Sequence, residues 1–305
     1  MSNDLCRWRI INERRQRGNI NDMPYEQTMH MLGGGAVMAE CGPMRLVITS
    51  SIGKLPQREM NVQAAKASFG YLERIARMQD LLGRRQGHME GNLDDSLGLE
   101  MVRSVVAVGD PDLTPMAAVA GTIADAVADY LANHGMTRVV VNNGGDIAVR
   151  VQDEEPVRVG IRTDVNKPDF ENVLVLGSGA WGVATSGLGG RSLTRGIASA
   201  ATVVASKASI ADAAATAVAN ASFVDDEQIV QQFAEEVDPR TDIRGLLVTT
   251  RVGPLSAEKA RMAVLKALKR AEELVGRGII RGSLVAAGGQ IGMSSFFEGR
   301  LESNG

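Results

Sequence analysis

The chain has 305 residues, 44% of them hydrophobic and 23% charged, with a formal net charge of −3. That is enough apolar material for one large core or two modest ones, and the slightly acidic balance excludes a dedicated nucleic-acid surface, which needs a basic excess. Two cysteines, Cys6 and Cys41, are too few and too far apart for a disulfide framework or a cysteine metal site. No run reaches the roughly 18 apolar residues of a membrane-spanning helix, and the N-terminus lacks a signal peptide's apolar stretch, so a cytoplasmic setting without a membrane partner is expected.

Residues 1–22 are polar and arginine-rich and set no period, so a single folded domain is expected over 23–305, with room for a small subdomain. The first regular signal is the alternation of "MRLVITSSIG", 44–53, a strand. Over 61–83 Ala65, Phe69, Leu72, Ile75, Met78 and Leu82 recur at helical spacing, and Gly83 stops the helix. The polar stretch 84–100 reads as a surface loop and the β-branched "MVRSVVAVGD", 101–110, as a strand. An alanine-rich helix follows over 115–135, then two strands around Asn142-Asn143-Gly144-Gly145, a strong hairpin signal. "EPVRVGIRT" and "ENVLVLGSGAWGVAT" supply further strands, and 198–206 another. Helices are predicted from about Ser209 to Ala221, near 226–236 and over 256–276, with the strand "IRGLLVTT" before the last. Short turns between successive strands outnumber crossovers, which predicts an α/β fold whose mixed, largely antiparallel sheet is covered by helices.

Three segments have residues suited to ligand chemistry. In "VNNGGDIAV" the glycines let a ligand approach the main chain, and Asp146 offers an acceptor, although a plain hairpin turn also needs both glycines. In "VATSGLGGRS", Gly187, Gly189 and Gly190 permit a nest of amides, Arg191 adds a guanidinium fork, and Thr185 and Ser186 add hydroxyls. The same loop could serve only as a wide turn, and it matches neither common nucleotide fingerprint. On the helix "SIADAAATAVANA", Asp212 and Thr216 lie four apart on one face, two hard oxygen donors for Mg²⁺. Alternatively, Ser209 and Asp212 form a local capping box that needs no metal. His30, His88 and His134 are scattered and suggest no catalytic pairing, and His134 beside Gly135 fits a helix end.

The order of these segments over residues 115–222, "AGTIADAVADYLANHGMTRVVVNNGGDIAV", "VRVGI", "GVATSG" and "TVVASKASIADAAATAVAN", resembles the motif series of the ApbE superfamily, the FAD:protein FMN transferases. It is most similar to the branch that lacks the histidine-containing motif. The resemblance implies an ApbE-like fold and a flavin or nucleotide ligand held through its phosphates. The implied ligand-binding residues are Asn143, Gly144, Gly145, Asp146, Thr185, Ser186 and Gly187, with Mg²⁺ on Asp212 and Thr216 and the carbonyl before Gly121 as a further metal donor. It also implies nucleotide cleavage or transfer from FAD, with a protein acceptor as partner. Two departures stand out. The H-x-I-D-P segment is replaced by "RSLTRGIASAATVV", and the Lys-Gly pair reads Ala120-Gly121, although Asp125 matches. A site without that histidine and lysine lacks a proton carrier and a cation. Arg191 or Arg195 is the candidate replacement cation, and a non-catalytic flavin-binding protein or a different small-molecule enzyme on the same scaffold stands as the alternative.

Overall fold

A computed structural model describes residues 7–9, 25–85, 93–167, 169–170 and 172–303. In chain order the elements are β1 (Arg7–Arg9), β2 (Gln27–Met31), β3 (Val37–Cys41), β4 (Met44–Ile52), β5 (Leu55–Pro56), α1 (Arg58–Arg77), α2 (Gln79–Leu82), α3 (Ser96–Val108) and α4 (Val119–Asn133). There follow β6 (Arg138–Asn143), β7 (Asp146–Val151), β8 (Val157–Ile161), β9 (Asn172–Leu176), β10 (Gly179–Ser186), β11 (Ala200–Ala205) and α5 (Ala208–Ala221). The chain closes with β12 (Ile229–Phe233), α6 (Ala234–Val237), β13 (Leu247–Val252), α7 (Ala257–Gly276), β14 (Gly282–Ala287), β15 (Gln290–Met293) and β16 (Leu301–Ser303).

One sheet organises the molecule, in the order β1-β2-β3-β4-β6-β7-β10-β11-β14-β15, with β5 hung on β4. Every pairing recorded between described strands is antiparallel. Helices follow the strand order across one face: α1 lies on β3 and β4, α4 on β6 and β7, α5 on β10 and β11, and α7 on β14 and β15. Helix α3 packs over α4 and α5 as an outer layer. The opposite face is closed by a small sheet, β16-β9-β8, whose Val157, Val159, Ile161, Leu174 and Leu176 pack on Val149, Val183, Val204 and Leu284. Strands β11 and β14 are buried at every position because both of their faces are covered, as expected where apolar strands lack a solvent side.

The position of α5 explains its composition. It lies between the sheet and α3, and its alanines, Ala208, Ala211, Ala213, Ala214, Ala215, Ala217 and Ala219, are buried around most of its circumference. Only a small side chain lets three neighbours approach one helix. The same crowding sets two glycines: a Cβ on Gly121 of α4 would lie 2.2 Å from the Ala208 carbonyl oxygen, and one on Gly182 of β10 would lie 2.1 Å from the Lys207 carbonyl carbon.

Several expectations are corrected. Residues 101–108 of that expected strand belong to helix α3, with Leu97, Met101, Val105 and Val108 buried at helical spacing, so a shared buried face outweighs β-branched propensity. The expected loop 84–100 contains that helix's start: Asp95 accepts from the amides of Leu97 and Gly98, and Gly109 ends the helix at φ +71. The helix expected near 226–236 is instead the strand β12, paired with β13, followed by one turn of helix, because pairing with β13 satisfies its backbone. Strands β2 and β3 precede the first expected strand. Cys6, His88 and most of the polar segment 1–22 lie outside the described residues. No described helix is long and apolar enough to cross a membrane.

Asp95 also anchors α3 to α1, through a 2.8 Å ion pair with Arg74. Burial by itself would raise its carboxyl, but the Arg74 hydrogen bond, the two capping amides and the Arg74 charge together hold it below the usual carboxylate range. Replacement Asp95→Ala is expected to lower stability by about 1 kcal/mol, the usual cost of losing an N-cap, measured as a shift in the urea midpoint at neutral pH.

Candidate active site

A cavity of about 710 Å³ opens beside the β6–β7 hairpin. Its walls hold the ten residues assigned from the sequence to ligand and metal, Asn143, Gly144, Gly145, Asp146, Thr185, Ser186, Gly187, Arg191, Asp212 and Thr216, together with Gly189 and Gly190. The volume is in the range of small-molecule sites. Each wall has a local structural cause.

The hairpin turns through Gly144 and Gly145, with Asn143 opposite Asp146 in register. Gly144 has φ +68, and a Cβ there would fall 1.6 Å from a terminal nitrogen of Arg191, so this position needs glycine for both backbone and space. The Gly145 amide donates to Asn142 Oδ1 at 2.8 Å and is thereby satisfied within the turn. Asn143 is buried and ties three elements together: its Nδ2 donates to the Ala120 carbonyl at 3.1 Å and its Oδ1 accepts from the Arg45 amide at 3.4 Å. The carbonyl before Gly121 is thus fixed at the cavity wall by a side chain.

The 187–191 loop differs from the expected nest. The Leu188 amide donates to Ala198 O and the Gly190 amide to Gly187 O, so two of its amides are spent internally. The loop's positive charge comes from Arg191, whose Nη1 donates to Pro43 O at 2.7 Å and whose Nη2 donates to Asn143 O at 3.4 Å. Those carbonyls orient the guanidinium at the cavity. Arg195, the other candidate cation, is paired with Asp112 and does not line the cavity. Thr185 Oγ1 shares a 2.8 Å hydrogen bond with Thr202 Oγ1. Ser186 Oγ is buried without a hydrogen-bond partner, a polar group whose desolvation is uncompensated until something fills the cavity beside it.

Helix α5 contributes the third wall. Asp212, Thr216 and Asn220 form a stripe at four-residue spacing on a helix otherwise largely buried. The local capping box is absent: Lys207 is the N-cap with no side-chain cap, Ser209 lies inside the helix, and Asp212 Oδ2 accepts from the Gly121 amide of α4 at 2.9 Å. Burial raises the Asp212 carboxyl well above the ordinary range and neighbouring Asp146 adds to the rise, while the Gly121 and Ala120 amides and Arg191 oppose it. Burial likewise pushes Asp146 up to about 7 against the pull of Arg191. The cavity therefore sets two mutually repelling carboxyl groups within reach of the Arg191 guanidinium.

The sequence reading missed the apolar part of the site. Leu72, Met116, Ile123, Ile147, Val159 and Ile161 line the cavity from five separate segments, and Arg45 and Arg162 add two further cations. Helical or strand period marks such residues only as apolar, and nothing local says which cavity they face. Among the described residues, His30 pairs with Glu40, and His134 lies over Tyr130 at the end of α4. Neither of these two described histidines lines the cavity.

The raised Asp146 gives a pH signature in metal-free protein. An acid whose folded value exceeds its unfolded one favours folding at low pH and loses that contribution as pH rises through the folded value. The stability of wild type relative to Asp146→Asn is therefore expected to fall as pH climbs from about 3.9, the unfolded aspartate value, through about 7. Urea titrations across that window check it, and a flat difference contradicts it.

Comparisons place this geometry among known proteins. A UPF0280 protein of Methanopyrus kandleri is 41% identical over 140 residues, 45% of this chain and 54% of that one. A UPF0280 protein of Methanosarcina barkeri is 36% identical over 152 residues, 49% of this chain and 59% of that one. The chain thus spans a little over half the length of the curated relatives it matches. Among solved structures, an ApbE protein of Thermotoga maritima superposes at TM-score 0.51 and 15% identity, covering 90% of this chain and 99% of its own. A flavin transferase ApbE from Vibrio cholerae does so at TM-score 0.51 and 12% identity, over 91% and 100%. Those likenesses establish a shared fold. Residues 28–293 match the family described as AbpE bacteria, and the chain belongs to that family of ApbE-like proteins.

Proposed function

We propose that the cavity binds a flavin- or nucleotide-type ligand through its phosphates, together with Mg²⁺, and that it cleaves or transfers a nucleotide from FAD. The observation that carries this is the meeting of opposite charges in one partly apolar cavity: Arg191 beside Asp146 and Asp212, with Leu72, Met116 and Ile123 on the same wall system. The apolar side chains suit a ring system, and a guanidinium held by two carbonyls suits phosphate oxygens.

The donor set fits a hard cation. Asp212, Thr216 and the Ala120 carbonyl are all oxygen donors at the cavity, and the repulsion between Asp212 and Asp146 is what a divalent ion would relieve. Among the described residues no group of three His, Cys, Asp or Glu side chains forms a metal cluster, so the remaining positions would fall to water and ligand phosphates, as is common for Mg²⁺. Bound there, Mg²⁺ would supply Lewis-acid polarisation of a phosphoryl oxygen. Arg191 would neutralise phosphate charge, and the buried Ser186 hydroxyl would hydrogen-bond to the ligand. Water or the hydroxyl of an acceptor protein would attack the FMN-side phosphorus, forming one P–O bond as the bridging P–O bond breaks; AMP leaves, the nucleophile's proton goes to solvent, and the FMN is left free or as a phosphodiester on the acceptor.

A second reading, a flavin-binding protein without catalysis, is favoured because no histidine or lysine among the described residues lines the cavity. Incubation of the purified chain with FAD and Mg²⁺, followed by chromatography for AMP and FMN, separates the two. The expected outcome is AMP release that Asp212→Ala abolishes, with Arg191→Ala weakening FAD binding roughly tenfold or more through the lost charge-assisted hydrogen bonds. Tight FAD binding without products supports the second reading, and absence of FAD binding overturns both.

A further inference from the structure

Helices α4 and α5 each lack a local side chain capping their N-terminus. Each is capped by an aspartate of the other. Asp125 of α4 accepts from the α5 amides of Ala208 at 3.1 Å and Ser209 at 2.9 Å. Asp212 of α5 accepts from the α4 amide of Gly121 at 2.9 Å, and the Ala120 amide also bonds it. Gly121 and Asp125 are one turn apart on α4, so they share the face that meets α5. An aspartate at a helix N-terminus satisfies free donors and favours the helix dipole, and two such contacts in opposite directions fix both the sliding and the rotation of the crossing.

We infer that Asp125 is a positioning residue for the Asp212–Thr216 site, acting through the register of α5; this rests on the metal reading proposed above. Asp125 does not line the large cavity and is 5% exposed, so it touches no ligand there. Arg150 holds its charge in place, donating to Asp125 Oδ1 at 2.9 Å and to Asp129 Oδ1 at 2.8 Å. Neutralising Asp125 loosens its hold on the first turn of α5 and leaves the Asp212–Gly121 contact to set the crossing alone. Asp212 and Thr216 follow within the next two turns of the same rigid helix, so a shift at Ala208 is carried to both. Groups that orient metal donors without touching the metal commonly change affinity tenfold or more.

The test is Mn²⁺ binding to the full chain, followed by electron paramagnetic resonance well below the unfolding transition, for wild type, Asp125→Asn, Asp212→Asn and Asp95→Ala. Asp95→Ala lowers stability through the N-cap of α3, and Asp95 bonds Leu97, Gly98 and Arg74 but neither aspartate of the crossing, so it reports what instability alone does to affinity. Expected are loss of binding in Asp212→Asn, a weakening of about 10- to 100-fold in Asp125→Asn, and wild-type affinity in Asp95→Ala. If Asp125→Asn fails to fold, Arg150→Gln, which keeps the carboxylate and removes its anchor, is expected to weaken binding by roughly threefold or more. Wild-type affinity in the folded Asp125 or Arg150 variant, with binding lost in Asp212→Asn, overturns the positioning role and leaves the metal site standing. No Mn²⁺ binding by wild type, or full binding by Asp212→Asn, overturns the metal site and the inference with it.

Discussion

The site depends on one close approach. The N-terminus of α5 enters between Gly182 of β10 and Gly121 of α4, where a methyl group on either glycine would overlap backbone atoms of Lys207 or Ala208. Backbone-to-backbone contact at that distance confines the start of α5 to the gap between the two glycines, and the cross-helix caps from Asp125 and Asp212 set its register within it. Alanines around the rest of the helix let the sheet and α3 close on it. A larger side chain almost anywhere on α5 would push one of its neighbours away, at a cost typical of overpacking.

This wedge makes the electrostatics of the cavity possible. Water would keep Asp146 and Asp212 ionised at low cost, but burial raises both and their mutual repulsion raises Asp212 further. The chain tolerates such a pair because Asp212 has a structural task as well, accepting amides at the start of α4. A residue that caps a helix and also faces a cavity cannot be assigned to structure or to chemistry alone. The capping alternative visible in the sequence was right about the kind of interaction and wrong about the partner, since the capped helix is α4 and not α5 itself.

The difference between what was legible and what was not follows the range of the interaction. The Asn-Asn-Gly-Gly hairpin, the alanine-rich helices and the antiparallel sheet rest on local turn chemistry and periodicity, and they appear where expected. Motif order brought Gly144, Arg191 and Asp212 into one group although nearly 50 and 70 residues separate the first from the others, and the structure does place them on one cavity. Residues 101–110 misled because their β-branched valines favour strands locally, while the cap at Asp95 and the buried stripe Leu97-Met101-Val105-Val108 favour a helix. The β12 segment misled for the opposite reason, since its partner β13 lies beyond a connecting segment that the local pattern does not reveal. The apolar wall of the cavity was invisible because an apolar residue facing a cavity and one facing the core carry the same sequence signal.

The tethering of Arg191 bears on what such a cavity can do. A guanidinium on a free loop would collapse onto the nearest carboxylate, and Asp146 is close enough for each to feel the other's charge. Carbonyls of Pro43 and Asn143 hold it instead, so its charge acts on Asp146 from a position fixed by the main chain. The same two carbonyls come from the β3–β4 turn and the end of β6, which Asn143 joins to the start of α4. Cation, carboxylates and helix crossing are therefore one mechanical unit. Preorganised charge of this kind would need little rearrangement for the phosphate ligand proposed above, and it suits binding and catalysis equally. What separates them is a group that moves a proton, and among the described residues the carboxyl groups on the cavity wall are Asp146 and Asp212, both already raised toward neutrality.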